Sequence, residues 1–160
     1  MESELQLQFA TEDISILAKE NGFNESCLGF YMLSHTSDKY IFSLFCEDLY
    51  YSSTKFAKNS DLDVNPTGRL KKCFTAPLWQ QIIDWFRTKY KILLDIHIIV
   101  LDDLQNWDFH YQSLKDYLEL NEDETEYDGS DIENPGFTSY ELAREAGIKE
   151  VFKAIKQNKL

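Results

Sequence analysis

Apolar residues recur along this chain at two spacings, and the switch between them divides it into helices and hairpins. Ile14, Leu17 and Ala18 lie three or four apart, the signature of one helical stripe. Thr11 before them suits an N-cap, and Glu12 and Asp13 suit the positive end of the helix dipole. Asn21-Gly22 supplies a left-handed stop with Phe23 folding back on the last turn, so the pattern predicts a helix over 12–20. Leu28 to Leu33 and Tyr40 to Phe45 are short Phe/Tyr-rich runs joined by a polar stretch, Ser34 to Lys39. They predict a hairpin with both faces covered, and His35 falls in its exposed loop.

Residues 47–74 lack either period. Asn65-Pro66-Thr67-Gly68 is a turn signal, and the stretch is read as a long connection with one short edge strand. A wide helical face follows, made of Leu78, Trp79, Ile82, Ile83, Trp85, Phe86 and Tyr90. Thr75 is expected to cap this helix, with Pro77 in its first turn. Trp79, Trp85 and Phe86 at this spacing are read as core rather than as a ligand box. Gln80, Asp84 and Arg87 fall on the opposite side as local surface pairs.

A second hairpin is predicted from Leu93–Leu101 and Asn106–Gln112 across Asp102-Asp103-Leu104-Gln105. With Val100 set opposite Trp107, Ile98 meets Phe109 and Ile96 meets Tyr111 on one apolar face. The same register places His97 opposite His110 and Asp95 opposite Gln112 on the other face. The last helix opens on Thr138-Ser139-Tyr140-Glu141, a capping box behind the breaker Asn134-Pro135-Gly136. Ala143 and Gly147 on its apolar side allow close approach to a sheet. The reading is a single α+β domain over 1–160, in the order α-β-β-α-β-β-α, mostly antiparallel with the helices packed on a sheet. No repeat and no second composition regime marks a further domain.

Charge adds one feature. The net charge is -12, and residues 116–133 hold nine acids and no base. This is expected to be an exposed, mobile acidic loop over about 116–136. Glu122, Asp123, Glu124, Glu126 and Asp128 are its candidate residues for docking a basic protein. An acidic surface repels phosphate and anionic lipid, so neither nucleic acid nor membrane is expected as a partner. An EF-hand anchored on Asp128-Gly129 would place Pro135 at position 12, where a bidentate carboxylate is required, so that motif is rejected.

Asp95, His97, Asp108 and His110 are the candidate metal ligands, two imidazoles and two carboxylates on one hairpin face. The plainer reading of the same residues is a solvated sheet face. Cys27, Cys46 and Cys73 are widely spaced without a CxxC pair and are read as reduced, mostly buried thiols of a cytoplasmic protein. The N-terminus lacks a positive start and an apolar core, so no signal peptide is expected. No stretch approaches the ~18 apolar residues of a membrane span. Neither a P-loop, GxGxxG, GxSxG nor HExxH pattern occurs, so no catalytic residue and no cofactor is expected.

Three segments carry a resemblance: 19–31, which leaves a helix at Gly22 and enters a strand through Cys27; 75–90, around Trp79 and Trp85; and 140–148, opening the last helix. In this order they resemble a group of small uncharacterised proteins of Bacteroides-type bacteria and their phages and mobile elements. The resemblance implies a small cytoplasmic α+β protein and brings no catalytic residue, cofactor or substrate. Three function classes follow from the sequence. The favoured one is a noncatalytic accessory or interaction protein encoded on a mobile element. The others are an acidic immunity or inhibitor protein binding a basic partner, and a metal-dependent hydrolase using the hairpin His/Asp cluster.

Overall fold

A computed structural model describes residues 4–34, 36–44, 56–63, 73–101, 104–115, 118 and 136–157. The chain is an α+β protein with two antiparallel sheets, divided into two compact units, Met1–Ile82 and Ile83–Leu160. The helix-strand order read from the sequence is present, with a short helix and a further strand between the first hairpin and the helix that starts at Trp79.

In the first unit, α1 runs Glu12–Glu20. Thr11 is its N-cap by backbone, but its side chain makes no capping bond, contrary to the sequence reading. At the other end Gly22 has φ +83°, and the Phe23 N–H donates to the Ala18 carbonyl at 2.9 Å. This is the left-handed stop that returns Phe23 to the core, where it is buried.

The three-stranded sheet has the order β2-β1-β3, with β1 Gly29–Leu33, β2 Tyr40–Leu44 and β3 Cys73–Ala76. Alternation along β1 sends Tyr31 to one face with Phe9, Phe74 and Ala76, and Phe30 to the other with Leu62 and Cys73. Both faces are therefore covered. Gly29 makes this possible, because a Cβ there would lie 2.8 Å from the Phe42 ring.

β3 corrects the expected start of the next helix. Thr75 pairs with Phe30 in the sheet and is fully buried, so it caps nothing. The helix over Trp79–Trp85 begins instead at Trp79, and the Leu78 N–H donates to Gln81 Oε1 at 2.9 Å. The side chain three residues inside the helix thus supplies the missing acceptor. A helix α2, Asn59–Asp63, lies in the stretch read as connection. Buried Asn59 accepts the Thr75 N–H at 3.0 Å and donates to the Phe23 carbonyl at 2.9 Å.

α3 (Trp79–Trp85) begins in the first unit and, in the second, continues into a π-helical turn, Phe86–Tyr90, that ends at Lys91 with φ 59°. Trp85 and Phe86 are buried and stack with Phe152, at 6.2 and 4.9 Å between ring centroids. β4 (Ile92–Leu101) and β5 (Leu104–Ser113) form a long hairpin. α4 (Tyr140–Lys156) lies on it through Ala143, Gly147, Ile148 and Val151, all buried. A Cβ on Gly147 would sit 2.9 Å from Phe109 Cγ and 3.0 Å from Leu94 Cδ1, which is the close approach anticipated from sequence.

The N-cap of α4 is Ser139, one residue later than the expected box, and its hydroxyl accepts the Leu142 N–H at 3.3 Å. Glu141 turns back on its own backbone N–H and the Ser139 hydroxyl, which hold its carboxyl below the usual value. Among the described residues no helix is long and apolar enough to cross a membrane.

Candidate functional site

β4 and β5 are built from alternating residues, so one set of side chains faces α4 and the other set faces away. The faces are those read from the sequence, but the register is not. Ile98 lies opposite Trp107, Ile96 opposite Phe109 and Leu94 opposite Tyr111, two residues away from the expected alignment. Leu101 pairs with Leu104, so Leu104 and Gln105 belong to the strand and only two residues join the arms. A two-residue connection is the commonest hairpin closure.

The slip changes the chemistry of the polar face. His97 stands opposite Asp108, and Asp95 opposite His110, in place of the expected His97–His110 and Asp95–Gln112 pairs. Each imidazole thereby has a carboxylate across the ladder, the kind of cross-strand pair that contributes roughly 0.2–1 kcal/mol. Along β4 the Asp95 Oδ2 and His97 Nδ1 atoms are 3.7 Å apart, with the Asp95 side chain 78% exposed and that of His97 34%. Asp108 departs from a solvated face: it is buried, and its Oδ1 accepts the Phe109 N–H at 2.8 Å. The ladder thus brings all four candidate ligands onto one face as two acid–imidazole pairs. Among the described residues, no group of three or more His, Cys, Asp or Glu is arranged to hold a metal ion.

The apolar face also carries information. Leu94 is buried beneath α4, while Ile98 and Val100 farther along the strand are 49% and 63% exposed. Beside them the chain returns to the sheet at Gly136 and Phe137. Phe137 exchanges both backbone hydrogen bonds with Trp107, at 2.8 and 2.6 Å. Gly136 has φ +74°, and a Cβ there would be 2.5 Å from Asn106 Cβ, so both backbone and space call for glycine. In the sequence Gly136 reads only as a helix breaker; its place beside Asn106 depends on a pairing that local pattern does not encode.

The five acidic docking candidates, Glu122, Asp123, Glu124, Glu126 and Asp128, lie outside the described residues, as do His35 and Cys46. Two lysines of α4 are held within the helix: Lys149 by Glu145 at 2.6 Å and Lys153 by Glu150 at 3.2 Å. Arg87 of the π-helical turn pairs with Asp84 of α3 at 3.2 Å, the local surface pair expected there.

Cys27 and Cys73 are free, buried thiols. Burial pushes the Cys27 thiol up to about 11, against a smaller opposing effect of Thr75, and burial also raises Cys73. Near neutrality both are therefore protonated, the opposite of what a nucleophilic cysteine requires. The Trp85 ring, which could be mistaken for a ligand wall, is packed by Phe86, Tyr90 and Phe152, with Lys89 Nζ 4.7 Å above it. No protein-family model, no curated protein and no solved structure matches the chain.

Proposed function

We propose that this chain is a cytoplasmic, noncatalytic interaction protein, carried on a phage or mobile element, whose acid-rich stretch engages a basic protein partner in the way of an immunity or inhibitor protein. The observation that carries the reading is where the charge stands relative to the fold. Of the net -12, -9 falls within residues 116–133. Both flanks of that stretch are fixed to one hairpin: the Leu114 N–H donates to the Lys91 carbonyl at 2.6 Å, and Phe137 pairs with Trp107. So much like charge in one stretch raises self-repulsion, which a basic partner relieves. The free buried thiols of Cys27 and Cys73 suit a reducing compartment. The mobile-element origin rests on the resemblance of the three segments described above.

The test is affinity capture from the native host with the wild-type chain and with a variant in which Glu122, Asp123, Glu124, Glu126 and Asp128 become Gln or Asn. This variant brings the net charge from -12 to -7. A basic protein should be retained by the wild type, released by moderate salt and lost with the variant. Capture that is unchanged by both salt and substitution would overturn the proposal.

A further inference from the structure

β4 is ten residues long, pairs with β5 without a bulge, and contains neither proline nor lysine. Natural sheet edges are normally blunted by one of these devices. Among the described residues no strand pairs with its other edge. The direction in which its backbone groups point follows from the bonds on either side of β5. Trp107 spends both its N–H and its carbonyl on Phe137, away from β4. Its partner Ile98 is therefore in a non-hydrogen-bonded pair, with both backbone groups directed away from β5. By alternation the same holds for Ile92, Leu94, Ile96 and Val100. The bond from the Leu114 N–H to the Lys91 carbonyl fits this phase, since Lys91, just before the strand, is an odd position in the same alternation.

The sequence on this edge is self-complementary about Ile96. It reads Ile92-Leu93-Leu94-Asp95-Ile96-His97-Ile98-Ile99-Val100: three apolar residues, an acid, the central Ile, an imidazole and three apolar residues. We infer that β4 pairs with β4 of a second copy of this chain, antiparallel about a two-fold axis at Ile96, to form a continuous four-stranded sheet. In this register Ile96 meets Ile96, Leu94 meets Ile98 and Ile92 meets Val100. These are the positions whose donors and acceptors point outward, so each pair exchanges two hydrogen bonds. Asp95 meets His97 of the second copy, and the two-fold axis gives that contact twice. It is a non-hydrogen-bonded pair, in which opposed side chains come closest.

The acid–imidazole contact selects this register among its neighbours. Sliding one strand by two residues sets Asp95 opposite Asp95, and sliding it the other way sets His97 opposite His97. The same pairing accounts for the exposed apolar residues. Ile98 and Val100, 49% and 63% exposed in one chain, come to lie beside Leu94 and Ile92 of the second copy. A contact of this kind is isologous and closes at two chains. It uses only described residues and none of the acids at 116–133, so its outcome does not depend on the proposed partner.

Sedimentation of the full chain tests it, with a mass of twice 18.8 kDa expected at micromolar concentration. Ile96→Pro removes an outward N–H and no bond to β5, so it should give a folded monomer, verified by circular dichroism. Asp95→Asn alters both copies at once and should weaken the dimer by about three- to tenfold, given the usual worth of cross-strand side-chain pairs. A cysteine scan fixes the register independently of either variant. Ile96→Cys should form a disulfide-linked dimer under mild oxidation. Asp95→Cys, His97→Cys and Ile98→Cys should not, because their copies lie farther apart. A monomeric wild type, a dimer indifferent to both Asp95→Asn and Ile96→Pro, or efficient cross-linking at another position instead of 96 would overturn the inference.

Discussion

Gly147 sets two known effects against each other, and the structure decides which wins. In an open helix, Gly147→Ala should stabilise the protein by roughly 0.8–1 kcal/mol, because alanine loses less backbone entropy. On the face of α4, however, the new methyl would sit 2.9 Å from Phe109 Cγ, 3.1 Å from Phe109 Cβ and 3.0 Å from Leu94 Cδ1. Carbon atoms in ordinary contact are about 3.5–4.0 Å apart. Leu94 can swing its terminal methyl, but Phe109 Cβ and Cγ are held close to the β5 backbone. Relief then requires α4 to lift from the sheet or Phe109 to leave its rotamer. Overpacking of that kind costs about 1–3 kcal/mol. The expected net effect is a loss of about 0–2 kcal/mol, once the helix gain is subtracted. Gly147→Val adds two further methyls and has no comparable helix gain, so it should be worse by more than 1 kcal/mol. Urea denaturation of the three proteins, compared at constant slope, measures both steps. A rise in stability of about 1 kcal/mol for Gly147→Ala, the full helix value, would falsify the packing of α4 on the hairpin.

Three further outcomes are expected. Trp85→Ala should cost about 3–5 kcal/mol by denaturant titration, since the ring is buried among Phe86, Tyr90 and Phe152; a loss under about 1 kcal/mol would place it at the surface. Gly136→Ala must accept a left-handed backbone and a methyl against Asn106, so it should lose at least roughly 1–2 kcal/mol and speed amide exchange at Phe137; unchanged exchange there would count against the pairing with Trp107. The Cys27 thiol is raised from 9.0 to about 11 in the fold, so the unfolded chain releases that proton first. Its contribution is complete below about pH 9 and is lost as pH rises through 11. Cys27→Ala should flatten the decline in stability over that window, and an identical decline in both proteins would contradict the burial argument.

Local chemistry made some of this structure legible and left other parts hidden. α1 could be placed at both ends because acids at its start and Asn21-Gly22 at its end act within one turn. The faces of β4 and β5 were legible because alternation assigns each residue a side. Register was not, because shifting a strand by two residues leaves every side chain on its own face. That shift decided whether His97 met His110 or Asp108. Thr75 has the side chain of a cap, yet it lies in β3 opposite Phe30 of β1, forty-five residues away in sequence, and its N–H is spent on Asn59. The pairing of Phe137 with Trp107 is equally remote, and Gly136 is its only local trace. The boundary between the two units falls within α3, where composition has nothing to mark.

Binding of a basic protein through the acid-rich stretch, the function proposed for this chain, is measured by titrating the captured partner against the wild-type chain and the five-acid variant over a series of salt concentrations. Wild-type affinity should fall steeply as salt shortens the screening length to about 8–10 Å, and the variant should bind weakly with a shallow salt dependence. Equal affinities with equal salt dependence would contradict it.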